Sequence, residues 1–110
     1  MTIAYTDSNQ EQLPAVATTV YTTPTVNSAH IIYATVFNES VLNATLTLNI
    51  VKNGGTLDET NRYVSRTIPA GASIVLNEII NRVLKGGDTI QALAGTASSL
   101  NLTIGTKEIT

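Results

Sequence analysis

The chain has 110 residues, enough for one domain and one core, with 43% apolar residues, 13% charged residues and a formal net charge of −2. Charge is at roughly half the usual share, and the six basic residues are spread along the chain, which disfavours nucleic acid, a partner that calls for a clustered basic face. The absence of cysteine excludes a disulfide framework and a thiolate metal site, and no run approaches the roughly 18 uninterrupted apolar residues of a membrane helix.

In chain order, the polar stretch Met1–Pro14 reads as an arm or an irregular lead-in. It lacks the basic start and apolar core of a secretory signal, so the expectation is a soluble product made and assembled in the cytoplasm. Val16–Thr22 is the first strand, ending before Pro24. His30–Phe37 is the second, with Ile32, Ala34 and Val36 on one face and Ile31, Tyr33 and Phe37 on the other. The clearest element is Leu42–Ile50, where five apolar residues alternate with four polar ones. Successive strand side chains point to opposite faces, so Leu42, Ala44, Leu46, Leu48 and Ile50 are expected inside with Asn and Thr outside.

Asn53-Gly54-Gly55 is a turn signal, and the chain to Asn61 reads as an exposed loop. Arg62–Ile68 is a strand stopped by Pro69-Ala70-Gly71, and Ser73–Asn77 resumes the pattern. Leu76–Leu84 is open between two readings. Apolar residues at 76, 79, 80, 83 and 84 fit a helical stripe, with Glu78 and Arg82 as an i,i+4 pair. A strand, a crossover and a second short strand fit the same stretch. Lys85-Gly86-Gly87-Asp88 turns into the strand Thr89–Ala94, and Leu100–Ile104 alternates strictly again. About seven strands at spacings of 8 to 12 residues predict an all-β sandwich or barrel, and two packed sheets bury the stripes most naturally.

Catalytic signals are weak. His30 is the single histidine, and a triad needs in addition a buried acid and an activated nucleophile. One histidine supplies one ligand of a zinc site. The carboxylates Asp7, Glu11, Glu39, Asp58, Glu59, Glu78, Asp88 and Glu108 are scattered apart from the adjacent Asp58 and Glu59, so they form neither a glycosidase pair across a cleft nor a loop spaced for calcium. Gly54-Gly55 and Gly86-Gly87 lack the Lys-Ser/Thr continuation of a phosphate loop and read as hairpin turns. With no tryptophan and five aromatic residues, a sugar-stacking platform finds little support in composition. No cofactor, metal or catalytic residue is assigned. What remains is surface: a low-charge face lined with Thr and Asn loses little on desolvation against another protein, and long strands leave edges to be covered.

The segments Tyr21–Pro24, His30–Asn38, Leu46–Ile50, Thr67–Gly71, Leu84–Ala92 and Leu102–Ile109 together resemble a group of small tailed-phage virion proteins. These run from a strand ending in Asn to an alternating strand, an Ile-Pro-Ala-Gly turn, a Gly-Asp-Thr-Ile segment and a closing strand. The resemblance spans about Val16–Thr110 and is to capsid decoration, or cement, proteins and to small tail or neck subunits. It implies a jelly-roll-like antiparallel β-sandwich with a short N-terminal arm, self-association as dimers or trimers, and docking on the major capsid protein. It brings no catalytic residue.

The resulting expectation is an arm, 1–14, followed by a single sandwich domain, 15–110. The chain is read as a non-enzymatic decoration subunit on the capsid surface of a virion, with no nucleic-acid or membrane partner. The alternatives are a tail or host-adsorption subunit and a carbohydrate-binding module. The expected partner contacts are Thr2, Ile3, Tyr5 and Leu13 in the arm, Asp58 and Glu59 in the loop, and Arg62 and Arg66 as anchors.

Overall fold

The computed structural model describes residues 2–5 and 9–110. Met1 and Thr6–Ser8 of the arm, with the carboxylate of Asp7, lie outside the described residues. Ten strands follow in order: β1 (Ile3–Tyr5), β2 (Asn9–Gln12), β3 (Thr18–Thr22), β4 (Ser28–Asn38), β5 (Ala44–Val51), β6 (Arg62–Ile68), β7 (Ser73–Val75), β8 (Val83–Lys85), β9 (Thr89–Ala94) and β10 (Leu100–Ile109). One 3-10 turn, Glu59–Asn61, precedes β6.

Sheet one is built on β10 and β4, with β1 and β2 sharing the outer edge of β10 and β7 and β8 sharing the outer edge of β4. Sheet two has the order β3-β9-β5-β6. All pairings are antiparallel. Taking β2 as the first strand, sheet one reads β2-β10-β4-β7 and sheet two β3-β9-β5-β6, and from β2 onward the chain crosses between sheets at every connection except β5–β6 and β7–β8. The fold is a jelly-roll-like antiparallel β-sandwich.

The core is the set of inward positions of both sheets. β5 contributes Ala44, Leu46, Leu48 and Ile50, β9 contributes Ile90, Ala92 and Ala94, and β6 contributes Val64 and Ile68. Facing them are Ile31, Ala34 and Val36 of β4 and Leu100, Leu102 and Ile104 of β10. The alternation expected for β5 holds from Ala44 to Leu48. Asn49, expected outside, is buried where the register with β6 shifts, its Nδ2 donating to the Asp58 carbonyl and to Asn61 Oδ1. Leu42, expected inside, is 72% exposed. Pairing with β6 begins at Ala44 opposite Ile68. The two residues before it are held in a loop, where Asn38 Nδ2 donates to the Leu42 carbonyl and Ala70 N donates to Asn43 Oδ1.

The two-sided reading of β4 also changes. Ile31, Ala34 and Val36 point inward while Ile32, Tyr33 and Phe37 are exposed. The register shifts where Gly105 pairs with Tyr33 and Thr106 with Ile31, leaving Ile32 as the extra residue of a β-bulge. A bulge inserts one residue and so reverses the in–out phase of everything beyond it.

The segment 76–84 contains no helix. Ile79 N bonds the Leu76 carbonyl and Arg82 N the Ile79 carbonyl, giving consecutive turns that end at Asn81 with φ of 71°. Leu76, Ile79 and Leu84 are nonetheless buried, so the helix-like spacing marks a turn that dips its apolar residues into the core. Arg82 donates to the Glu78 main-chain carbonyl rather than to its carboxylate and stacks 4.7 Å from the Tyr63 ring centroid. Gly86-Gly87 is a turn, with Gly87 at φ of 87°, but it joins β8 in sheet one to β9 in sheet two and so is not a hairpin.

The described residues of the arm include two strands. β1 pairs Ile3, Ala4 and Tyr5 with Ile109, Glu108 and Lys107, and β2 pairs residues 9–12 with 104–101, so both lie as edge strands on β10.

Candidate functional site

Most of the polar side chains that attract notice in the sequence hold the sandwich shut. Asp88, 2% exposed, accepts from Asn53 N through Oδ1 and from Lys85 N through Oδ2, both at 2.9 Å, and from Lys52 Nζ at 3.3 Å. Burial alone would raise its pKa. The two main-chain donors and the Lys52 ammonium outweigh burial and hold it below the ordinary carboxylate value. At the other end of the sandwich the fully buried Asn38 donates to the carbonyls of Leu42 and Ile68 and accepts from Ser40 N and Oγ. Tyr21 of sheet two donates to Glu108 Oε2 of sheet one at 2.6 Å. Burial and that carboxylate push the phenol up to about 12.

Arg66 makes the matching bond between β6 and the other sheet's edge. Its Nη1 lies 3.4 Å from the Val75 carbonyl and 3.4 Å from Glu78 Oε1. The expected partner anchor is therefore an internal clasp. Leu13, the innermost arm residue, has 0% exposure and belongs to the core, so its side chain is closed to a partner in this fold. Asp58 caps the 3-10 turn, accepting from Thr60 N and Oγ1, and these bonds hold its carboxylate below the ordinary range. The Asn61 carboxamide ties the same loop to Asn49 and to the Thr56 carbonyl. Glu59 forms an exposed ion pair with Arg62 at 3.8 Å.

The expected contacts thus divide. Ile3 and Tyr5 stand on β1, every residue of which is exposed, and the exposed Thr2 directly precedes it. Asp58, Glu59 and Arg62 form a separate, self-satisfied loop. Among the described residues no three His, Asp or Glu side chains gather as a metal site. His30 sits between Lys107 and Val83 on neighbouring strands, with no carboxylate in register beside it.

The feature that the sequence reading missed is the outer face of sheet one. Its outward rungs run Tyr5–Lys107–His30–Val83, then Gly105–Tyr33, then Gln10–Thr103–Thr35–Val75, then Gln12–Asn101–Phe37–Ser73. Ile3, Tyr5, Ile32, Tyr33, Phe37, Val75 and Val83 are exposed large apolar side chains on these strands. None stands on the strands of sheet two, whose outward positions include Thr45, Thr47, Ser65, Thr67 and Gln91. Isolated exposed apolar residues are ordinary, but a set that among the strands gathers on one sheet's outer face marks a candidate interaction surface. Beside the rungs, a shallow groove of about 350 Å³ lies over β2 and β10, lined by Gln10, Glu11, Gln12, Asn101, Leu102 and Thr103.

Comparison with known proteins places the fold. A subunit of Bacillus endospore appendages, described as a novel family of disulfide-linked pili, superposes with a TM-score of 0.59 at 17% identity, over 99% of this chain and 88% of that one. A chain of the T13 particle of IBDV overlaps at TM-score 0.44 and 14% identity, over 97% of this chain and 30% of that one. The infectious bursal disease virus VP2 subviral particle overlaps at 0.34 and 16%, over 97% and 31%. The first likeness shows a shared fold, and the viral overlaps are too loose to carry an argument. No family model and no curated protein matches the chain.

Proposed function

We propose that this chain is a structural subunit without catalytic activity, which works by docking on neighbouring proteins, its own copies among them, in a larger extracellular or virion assembly. The observation that carries the reading is the terminal half of the sheet-one face. There, among the described residues, β1 leaves an unpaired edge with Ile3 and Tyr5 exposed on it, and Val83 stands exposed at the far end of the Tyr5 rung. An edge strand offers a row of main-chain donors and acceptors, and exposed apolar side chains next to it add area whose burial drives association. The low charge of the chain keeps the desolvation cost of such contacts small.

The pilus subunit that shares this fold belongs to a disulfide-linked assembly. With no cysteine in its 110 residues, this sequence does not supply the disulfides that link those pili. In its finer form the proposal is a capsid decoration subunit that seats on the major capsid protein as a dimer or trimer and resists separation of the shell. Repetition of a weak contact by symmetry supplies avidity that no single contact needs to provide. The test is co-sedimentation with capsids of the parent particle prepared without this protein. Saturable binding at a fixed ratio supports decoration, and absence from every shell form removes the decoration reading.

A further inference from the structure

The distal half of the sheet-one face has a chemistry different from the terminal half. Two adjacent rungs, Gln12–Asn101–Phe37–Ser73 and Gln10–Thr103–Thr35–Val75, set carboxamides and hydroxyls across four strands. The groove over β2 and β10 lies along these rungs, and its volume of about 350 Å³ falls within the range of small-ligand sites. A carboxamide presents a donor and an acceptor in one plane, and a hydroxyl does both from one atom. That set matches vicinal hydroxyls, which also donate and accept.

Aromatic rings complete the set. Of the five aromatic residues in the chain, Tyr5, Tyr33 and Phe37 are exposed on this one face. Phe37 is 42% exposed and stands in the same rung as Asn101. Tyr33 is 37% exposed, and its ring lies down on the sheet over Gly105, where a Cβ would stand 2.1 Å from Cε1. Glycine at 105 is what lets the ring lie so close, so the pair makes a flat apolar platform beside the polar groove. The strand order thus gathers on one face what a count of aromatic residues makes look too sparse.

Charge narrows the ligand. The groove contains no cationic side chain and its one ionised lining residue is Glu11. Gln12 Nε2 donates to the nearby Glu39 carboxylate and to the Ser98 carbonyl, so Gln12 offers a ligand its carboxamide oxygen. An anionic ligand would meet repulsion with nothing to offset it, and an apolar ligand would leave the amides unsatisfied. We propose that the Gln10–Gln12–Asn101–Thr103 groove, with Phe37 and Tyr33 as stacking surfaces, binds a neutral oligosaccharide. Along β10 the Gln10–Thr103 and Gln12–Asn101 rungs lie about 13 and about 20 Å from the Tyr5–Lys107 rung, four and six residues at roughly 3.3 Å each, with Tyr33 on the rung between. The groove is therefore separate from the β1 edge of the proposed docking surface and does not depend on it.

The experiment is an amide and methyl NMR titration of the intact chain with malto-, cello-, manno- and chito-oligosaccharides, with polygalacturonate as the anionic control. The expected result is saturable shifts at Gln10, Gln12, Asn101 and Thr103 with at least one neutral series and none with the anion. Phe37→Ala and Asn101→Ala should each weaken that binding at least tenfold, while Thr47→Ala on the opposite sheet leaves it unchanged. Phe37 is half-exposed, so its variant should fold, and an unchanged amide spectrum outside the site verifies this. No saturable shift with any neutral series at millimolar concentration, shifts centred elsewhere, or binding indifferent to Phe37 would each overturn the proposal.

Discussion

The two sheets of this sandwich are alike inside and different outside. On their inner faces both follow the period of two with large aliphatic residues, Leu46 and Leu48 in one and Leu102 and Ile104 in the other, all at 0–1% exposure. On the outer faces, sheet two shows mostly Thr, Ser and Gln, and sheet one shows seven exposed large apolar side chains beside its neutral polar rungs. Folding requires the inner pattern of each sheet and is indifferent to the outer one, as sheet two demonstrates with hydroxyls. The apolar outer face of sheet one therefore has no explanation in the core, and function is the place to look for one.

The comparison can be sharpened by substitution. The largest effect is expected inside, where the sheets should behave alike. Leu48→Ala and Leu102→Ala each delete a fully buried side chain, and each should cost about 3 kcal/mol. For a domain of this size that is a fall of about 10 °C or more in melting temperature. A marked difference between the two would mean that one sheet carries less of the core than its burial indicates.

Next come the polar ties, which break the symmetry between the ends of the sandwich. Asp88→Asn replaces an ionised acceptor of two main-chain donors and Lys52, and should cost about 2 kcal/mol near neutral pH. Because the folded state holds this carboxylate below its ordinary value of 3.8, its contribution is present above that value and is lost as the pH falls further. Denaturant titrations between pH 6 and 2.5 should show that loss in the parent chain and a flatter profile in the variant. The neutral Asn38 tie at the other end adds no such dependence.

Tyr21→Phe, which removes the bond between the sheets at Glu108, should cost about 1 kcal/mol. The phenol titrates near 10 when unfolded and about 12 when folded. Its share of the stability is thus intact below pH 10 and declines as the pH rises from there towards 12. Alkaline unfolding followed by circular dichroism should show that decline in the parent and not in the variant.

The inner half of this architecture is legible in the sequence, and particular residues show why. β5 is readable from Ala44 to Leu48 because one buried face imposes strict alternation, which ends where Asn49 is buried. The turn at Lys85–Asp88 is readable because Gly87 needs a positive φ that few residues accept. The bulge at Ile32 is not readable, because it is fixed by where β10 pairs, more than 70 residues away in the sequence. The 76–84 segment misleads because turns that bury Leu76 and Ile79 mimic a helical stripe. The arm conceals its strands, since edge strands with both faces exposed carry no alternation. For the candidate site, Ile3 and Tyr5 stand out as apolar residues in a polar lead-in. Phe37 and Tyr33 join the face only through the strand order, and the guanidinium of Arg66 gives no sign in sequence that it closes the sandwich.

The smallest effects on stability and the greatest on function are expected on the outer faces. The pair Ile3→Lys with Tyr5→Lys and the pair Thr45→Lys with Thr47→Lys alter outward-facing positions, all exposed except the half-buried Thr47, and single surface substitutions usually stay within about 0.5 kcal/mol. Sedimentation velocity of the parent chain and both pairs, over a wide concentration range, is the most direct test of docking through the β1 end of sheet one. The expected result is reversible association of the parent that weakens at least tenfold in the Ile3/Tyr5 pair and persists in the Thr45/Thr47 pair. A parent chain that sediments as a monomer at every concentration, or two pairs that associate equally well, would contradict it.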